Sequence, residues 1–200
     1  MAENQALPVG AMDTRASGWW AMIFTIFTEA SLFTYLLFAY YYLAVQPHAP
    51  GTFPEGGPPP LGMASLNTVI LLTSSAAVAW AQFSIEHNKK WRLAAGLGLG
   101  AVLGMVFLVI QVREWAGQPF GLSSTPYSSL YYVITGFHMA HVVVGVLILL
   151  ALTFWSAKGY FNNRRFAHIH IGALYWHFVD AVWLVVYFTF YITPLMGLKS

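Results

Sequence analysis

Six ionisable side chains within long apolar stretches are the residues best suited to chemistry in this sequence. They are Glu29, Glu114, His138, His141, His177 and Asp180. His138 and His141 share one face of a helix, as do His177 and Asp180, because residues three apart are neighbours on a helical surface. Groups of these types can bind a metal, carry a proton or hold helices together.

Carboxylates and imidazoles that point into a helical bundle are the ligand types of di-iron proteins. One alternative is therefore a membrane metalloenzyme, such as a di-iron hydroxylase, with Glu29, Glu114, His138, His141 and His177 as ligands. The sequence contains no Glu-x-x-His motif, and HMAH (138–141) stands without a further histidine box. We therefore favour interhelical hydrogen bonds that fix packing, and we predict no metal ligand and no catalytic residue.

Glu29 lies well inside the first apolar stretch, with Thr25 and Thr28 near it at helical spacing. The pattern offers this carboxyl no obvious basic partner, which suits a group that exchanges protons or contacts lipid. The structural alternative is a protonated glutamate that donates one hydrogen bond to a neighbouring helix. The residues alone leave both possibilities open.

The elements that must position these side chains are membrane-spanning helices. The sequence is 58% hydrophobic and 8% charged, whereas a soluble domain has about 25% charged residues. Charge-free runs cover 56–85, 93–112 and 115–157, and roughly 20 apolar residues cross a bilayer as a helix. We predict an all-α, polytopic bundle of five transmembrane helices in one domain, 1–200, with helices near 19–45, 65–86, 91–115, 126–157 and 168–191.

The Lys and Arg residues predict the orientation, because basic loops are retained on the cytoplasmic side. With the N-terminus inside, most basic residues are cytoplasmic and only Arg113 and Lys199 lie outside. The cytoplasmic set is Arg15, Lys89, Lys90, Arg92, Lys158, Arg164 and Arg165. The 1–18 tail lacks the apolar core of a removable signal peptide, and no basic run suggests nucleic-acid binding.

Five motifs in order along the chain carry a family resemblance. TGFHMAHVVVG (135–145) and YWHFVDAVWLVVY (175–187) closely resemble the last two helices of cytochrome c oxidase subunit III. TEASLF (28–33), SLNTVILLTSS (65–75) and QVREW (111–115) are similar to earlier helices of that family. The resemblance covers about 19–192 and indicates a short form with five helices. Within the motifs, the structural positions are Asn67, Thr68, Gly136, Trp176 and Trp183.

The resemblance implies a non-redox accessory subunit of a proton-pumping terminal oxidase that passes electrons from cytochrome c to oxygen. In the family this subunit packs against subunit I, contains phospholipid, supports proton uptake and protects the oxygen-reducing site. Haem and copper then belong to the partners, subunits I and II, with small subunits as further neighbours. Glu29 matches the family's buried, carbodiimide-reactive glutamate. Further motif residues of the family fall on Glu114, His138, His141, His177 and Asp180, and the resemblance implies that all six are related to protons or lipid. The implied location is the bacterial cytoplasmic membrane, with the C-terminus outside.

Several alternatives stay open within and beyond the family. A quinol oxidase subunit III has a similar size, and a related protein accompanies nitric oxide reductases. The glutamate of TEASLF and the phenylalanine of TGFH look more like the cytochrome c branch. A secondary transporter would require inverted repeats and paired broken helices, which the sequence does not show. The partner discriminates, because a copper-binding subunit II indicates a cytochrome c oxidase.

Overall fold

Five long α-helices make up most of the chain in the computed structural model, which describes residues 17–47, 53–57, 60–87, 89–161 and 166–196. The helices are α1 (Ser17–Ala44), α2 (Leu61–Glu86), α3 (Lys90–Ala116), α4 (Pro126–Ala157) and α5 (Ala167–Tyr187). Those described residues contain no β-strand element. Each helix is long and apolar enough to cross a membrane, which confirms the predicted all-α fold with five spans.

Consecutive spans alternate in direction, so the bundle has two distinct ends. At one end, called here the proline-loop end, α1, α3 and α5 finish while α2 and α4 begin. The described residues 46–47, 53–57 and 60, which include Pro47, Pro54 and Pro60, lie at this end. The opposite, basic end carries Lys89, Lys90 and Lys158. Arg15, Arg164, Arg165 and Lys199, together with most of the predicted 1–18 tail, lie outside the described residues.

Prolines set two helix ends that differ from the predicted ones. Pro60 is extended, with φ −67° and ψ 125°, and α2 begins directly after it at Leu61 rather than at Ser65. Beyond α5 the chain continues as a π-helix, Phe188–Ile192, and then a 3-10 turn, Thr193–Met196. Pro194 cannot continue an α-helix because its ring collides with the carbonyl of residue i−4, so the last turns widen and then tighten.

A line of glycines on α3 allows its neighbours to approach closely. A Cβ atom added to Gly96 would lie 2.8 Å from the Ala77 carbonyl oxygen, and one added to Gly100 would lie 2.6 Å from Val78. Small residues at every fourth position are a common way to pack membrane helices. This line of glycines was not predicted from the sequence, although its four-residue spacing is visible there. It accounts for the extensive contact between α2 and α3.

α5 supplies the largest buried side chains of the core, whereas α1 lies at the edge of the bundle. Trp176 and Trp183 are both almost fully buried between helices. α1 contacts α4 and α5 through a narrow strip that includes Phe33 and Tyr40. Its other faces are exposed, as Phe27 at 71% shows.

Candidate functional site

Glu29 of α1 and His141 of α4 form a direct pair. The Oε2 atom of Glu29 lies 2.9 Å from Nε2 of His141, and the two side chains are 31% and 14% exposed. The other ring nitrogen, Nδ1, lies 2.7 Å from the carbonyl oxygen of Phe137. The carboxyl that the sequence analysis treated as lacking a basic partner therefore has one on another helix.

The tautomer of His141 follows from its second hydrogen bond. The Phe137 carbonyl can only accept, so Nδ1 of His141 carries a hydrogen. The contact with Glu29 then holds one shared proton. Either a protonated Glu29 donates to a neutral imidazole, or an imidazolium donates to a carboxylate. In both cases the pair has no net charge, which lowers the cost of placing it in a membrane.

His138 shares a helix face with His141 but contacts a different neighbour. It is fully buried, and its Nε2 donates to the Val179 carbonyl oxygen of α5 at 3.2 Å. The ring centroid of Trp183 lies 4.9 Å away, and that of Phe107 lies 5.7 Å away. His138 is thus a packing and hydrogen-bonding link between α4 and α5.

His177 belongs to a line of polar side chains between α2 and α5. Its Nδ1 lies 2.6 Å from the Ser75 hydroxyl, and its Nε2 lies 3.2 Å from Oε1 of Gln82. The Gln82 amide nitrogen in turn lies 3.3 Å from Nδ1 of His170. We call Ser75, His177, Gln82 and His170 the α2–α5 polar line. All four side chains are partly exposed.

Asp180, one helical turn from His177, is only 4% exposed. Among the described residues, neither carboxylate oxygen has a hydrogen bond of ordinary geometry, although the Ser75 side chain is close by. Burial of a polar group in an apolar interior is costly unless a partner satisfies it. Because Ser75 belongs to the α2–α5 polar line, Asp180 lies next to that line.

Glu114 lies at the proline-loop end, far along the bundle from the other groups. The Tyr191 hydroxyl donates to its Oε1, and the Tyr191 hydroxyl also lies 3.3 Å from that of Tyr131. The neighbouring Trp115 donates from its indole to the Thr135 hydroxyl at 3.1 Å. These contacts join the end of α3 to α4 and to the π-helix after α5.

The predicted structural positions lie at helix contacts. Trp176 donates to Ser74 at 3.1 Å. Trp183 donates to Thr68 at 2.9 Å, and the buried Asn67 donates to Gln111 at 3.3 Å.

A Cβ atom at Gly136 would lie 3.4 Å from the ring of Trp115, which is an ordinary contact. At Gly145, however, an added Cβ would lie 2.7 Å from the Trp176 ring. Trp176 therefore needs a glycine on α4.

The six ionisable residues do not converge on one centre. They lie at separate contacts, α1 with α4, α4 with α5, α2 with α5, and α3 with the π-helix. Within the described ranges, no three His, Cys, Asp or Glu side chains group as a metal site requires. The di-iron alternative therefore lacks a common ligand cluster in that part of the chain.

Three side-chain partners of the six ionisable residues were not predicted from the sequence, namely Gln82, Ser75 and Tyr191. Gln82 and Ser75 are seven residues apart and so lie on one face of α2, which made their spacing a usable signal. Tyr191 gave no such signal, because tyrosine is common at membrane interfaces and its position depends on the π-helix.

Comparisons with known proteins place these contacts in a family context. The sequence profile described as cytochrome c oxidase subunit III matches residues 11–194. Similar proteins named cytochrome c oxidase subunit 3 occur in Ovis aries, Raphicerus campestris and Petromyzon marinus. Each is 34% identical over 177 residues, covering 86% of this chain and 68% of the relative. The profile match includes all five helices and every paired residue described above.

Proposed function

Because the chain belongs to the cytochrome c oxidase subunit III family, we propose that it is the non-redox accessory subunit of a proton-pumping terminal oxidase. This oxidase passes electrons from cytochrome c to oxygen. The subunit stabilises subunit I, binds phospholipid and supports proton uptake, while haem and copper belong to subunits I and II. Small subunits are further neighbours in the complex.

The pairing of Glu29 with His141 is the observation that carries this proposal. A metal ligand needs a lone pair directed at the metal, and a catalytic carboxylate needs an oxygen directed at a substrate. Here the carboxyl faces an imidazole whose other nitrogen is already bonded to Phe137. The pair is neutral as a unit and joins two helices, as expected of a subunit whose role is assembly and local proton exchange.

The exposed faces of the bundle differ in chemistry, which supports different neighbours. On α1, Phe27, Tyr35 and Phe38 are exposed by 66–71%, and the hydroxyl of Ser31 bonds the Phe27 carbonyl within its own helix. This face is mainly aromatic, and the Ser31 hydroxyl on it is already bonded within its own helix, so the face suits lipid acyl chains.

The α2–α5 polar line is also partly exposed, but polar groups facing hydrocarbon are costly. We assign the contact with subunit I to this face.

The proposed location is the bacterial cytoplasmic membrane, with the proline-loop end outside. Lys89, Lys90, Arg92 and Lys158 lie at the basic end, and Arg113 lies at the other. An excess of basic residues marks the cytoplasmic side. The N-terminus is then inside and the C-terminus outside.

Purification through an affinity tag on this chain tests the proposal. We expect a large haem-containing subunit and a subunit II with a copper-binding domain to co-purify. After the subunits are separated, we expect metal analysis to find neither iron nor copper on this chain. Stoichiometric metal on the separated chain would overturn the accessory role. A partner subunit II without copper would indicate that the electron donor is a quinol and not cytochrome c.

A further inference from the structure

A small cavity opens at the proline-loop end, between residues 55–57 and the start of α4. Glu55, Gln118, Tyr127 and Tyr131 contribute to its lining, and its volume is about 80 Å³. One water requires about 10–15 Å³ of such volume and two to four polar partners. A carboxylate, an amide and two phenols supply those partners, so the cavity can hold several waters.

A chain of hydrogen bonds leads from this cavity to Glu114. The Gln118 amide donates to the Tyr131 hydroxyl at 3.4 Å. The Tyr131 and Tyr191 hydroxyls are 3.3 Å apart, and Tyr191 donates to Oε1 of Glu114. Tyr131 lines the cavity while being 1% exposed, so it connects the cavity to the interior.

The π-helix places the last hydroxyl of this chain. Tyr191 lies within Phe188–Ile192 and is fully buried. π turns are rare and are frequently found at functional sites. At the inner end of this hydrogen-bond chain, the Oε2 atom of Glu114 is buried and, among the described residues, unpartnered. The carboxyl is therefore held through a single phenolic contact.

We propose that Glu114 exchanges protons with water in this cavity through Tyr131 and Tyr191. This inference goes beyond the accessory role and does not depend on it. A hydronium in the cavity gives a proton to the Tyr131 oxygen, whose own hydroxyl proton passes to the oxygen of Tyr191. The Tyr191 hydroxyl proton then passes to the Glu114 carboxylate. Water, two neutral phenols and a carboxylic acid result, and rotation of the hydroxyls resets the chain.

Other ionisable groups face this chain from each neighbouring element. Glu55 lies in the cavity wall, the Tyr127 ring stacks 6.5 Å from that of Tyr131, and the Tyr187 ring stacks 5.4 Å from that of Tyr191. Arg113 is exposed. The Tyr187 hydroxyl bonds Ser65 at 2.8 Å and does not reach Glu114, so it offers a matched control.

Infrared spectroscopy of the intact, non-turning complex tests the exchange. The difference between wild type and Glu114→Gln identifies the C=O stretching band of Glu114, whose shift in D2O reports exchange. We expect Tyr191→Phe and Tyr131→Phe to slow that shift by roughly tenfold or more, equivalent to a barrier higher by about 1.4 kcal/mol. Tyr187→Phe should exchange at the wild-type rate.

Two results would overturn the proposal. One is equal exchange rates in the wild type and in the Tyr131 and Tyr191 variants, which would mean that protons reach Glu114 by another route. The other is that Glu114→Gln removes no exchangeable carboxyl band from the spectrum at any pH at which the complex is stable. Neither result bears on the composition of the oxidase complex, so the accessory role is tested separately.

Discussion

Nε2 of His141 lies 2.9 Å from Oε2 of Glu29, and this contact joins α1 to the rest of the bundle near the middle of its length. Because Nδ1 of His141 is committed to a carbonyl, Nε2 can accept a hydrogen bond in the neutral ring. The contact therefore tolerates any partner at position 29 that donates. A donor that cannot exchange a proton would therefore keep the structural contact and lose the proton chemistry of the pair.

Replacing Glu29 tests that separation. In Glu29→Gln the amide N–H donates to Nε2 of His141, so we expect normal assembly, with changes confined to proton delivery or stability during turnover. Glu29→Leu leaves the half-buried nitrogen unpaired and should lower the free energy of unfolding by about 1–3 kcal/mol. Ser31→Ala, on the exposed face of α1, is the control. A purified Glu29→Gln complex without this subunit would contradict the prediction.

Two glycines of α3, one in the glycine line and one outside it, are expected to respond differently to an added methyl group. A Cβ at Gly104 would lie 2.6 Å from the Trp176 ring, whereas one at Gly98 would lie 3.5 Å from Thr153. Gly104→Ala should cost about 1–3 kcal/mol through overpacking, measured by thermal unfolding in detergent. Gly98→Ala should be neutral or stabilising. Equal midpoints for the two variants would contradict the close contact.

The start of α4 depends on Thr125, which makes two contacts at once. Its hydroxyl accepts from the Ser128 backbone N–H at 3.2 Å and donates to Glu55 at 2.6 Å. Thr125→Val keeps the shape and loses both bonds, so the free energy of unfolding should fall by about 0.5–2 kcal/mol. Thr125→Ser keeps both and should behave as wild type. Equal stability of the two variants would show that the cap is not required.

Bulk on the α2–α5 face should block the proposed partner. Ala79 is exposed and lies between Ser75 and Gln82 on one face of α2, so Ala79→Trp adds volume without removing a hydrogen bond. We expect co-purifying subunit I to fall to a small fraction of its wild-type amount. Ala95→Trp, at an exposed position of α3, should leave it unchanged. Loss of the partner only in the Ala95 variant would assign the contact to α3 instead.

The lack of cysteine makes orientation directly measurable. A membrane-impermeant thiol reagent should label Leu122→Cys from the outside of intact cells, and Lys158→Cys only after permeabilisation. Both positions are exposed, so reactivity reports the side of the membrane. The opposite labelling pattern would invert the proposed topology.

The sequence predicted the number of helices because apolar length alone decides whether a segment spans a bilayer. It did not predict the partners of the polar residues, since those depend on how each helix is rotated about its axis. α1 is apolar around most of its circumference, so nothing in its periodicity directs Glu29 towards His141. Likewise, His138 and His141 share a face, yet they diverge to α5 and α1.

Some of what was missed was readable, and some was not. The four-residue spacing of Gly96, Gly100 and Gly104 is a local signal of close helix contact. The alignment of Tyr191 with Glu114 is not local, because it requires the widened turn that precedes Pro194. Contacts that depend on an irregular backbone appear only when the fold is known.

The narrow attachment of α1 gives it a mechanical property that the other four helices lack. It is tied by a polar contact at Glu29 and by another at Tyr41, whose hydroxyl lies 3.0 Å from that of Thr189. At 1.5 Å per residue these anchors are about 18 Å apart. Two anchors on one long helix fix its tilt, so α1 can follow a change in bilayer thickness only when one contact breaks, and it then pivots about the contact that remains.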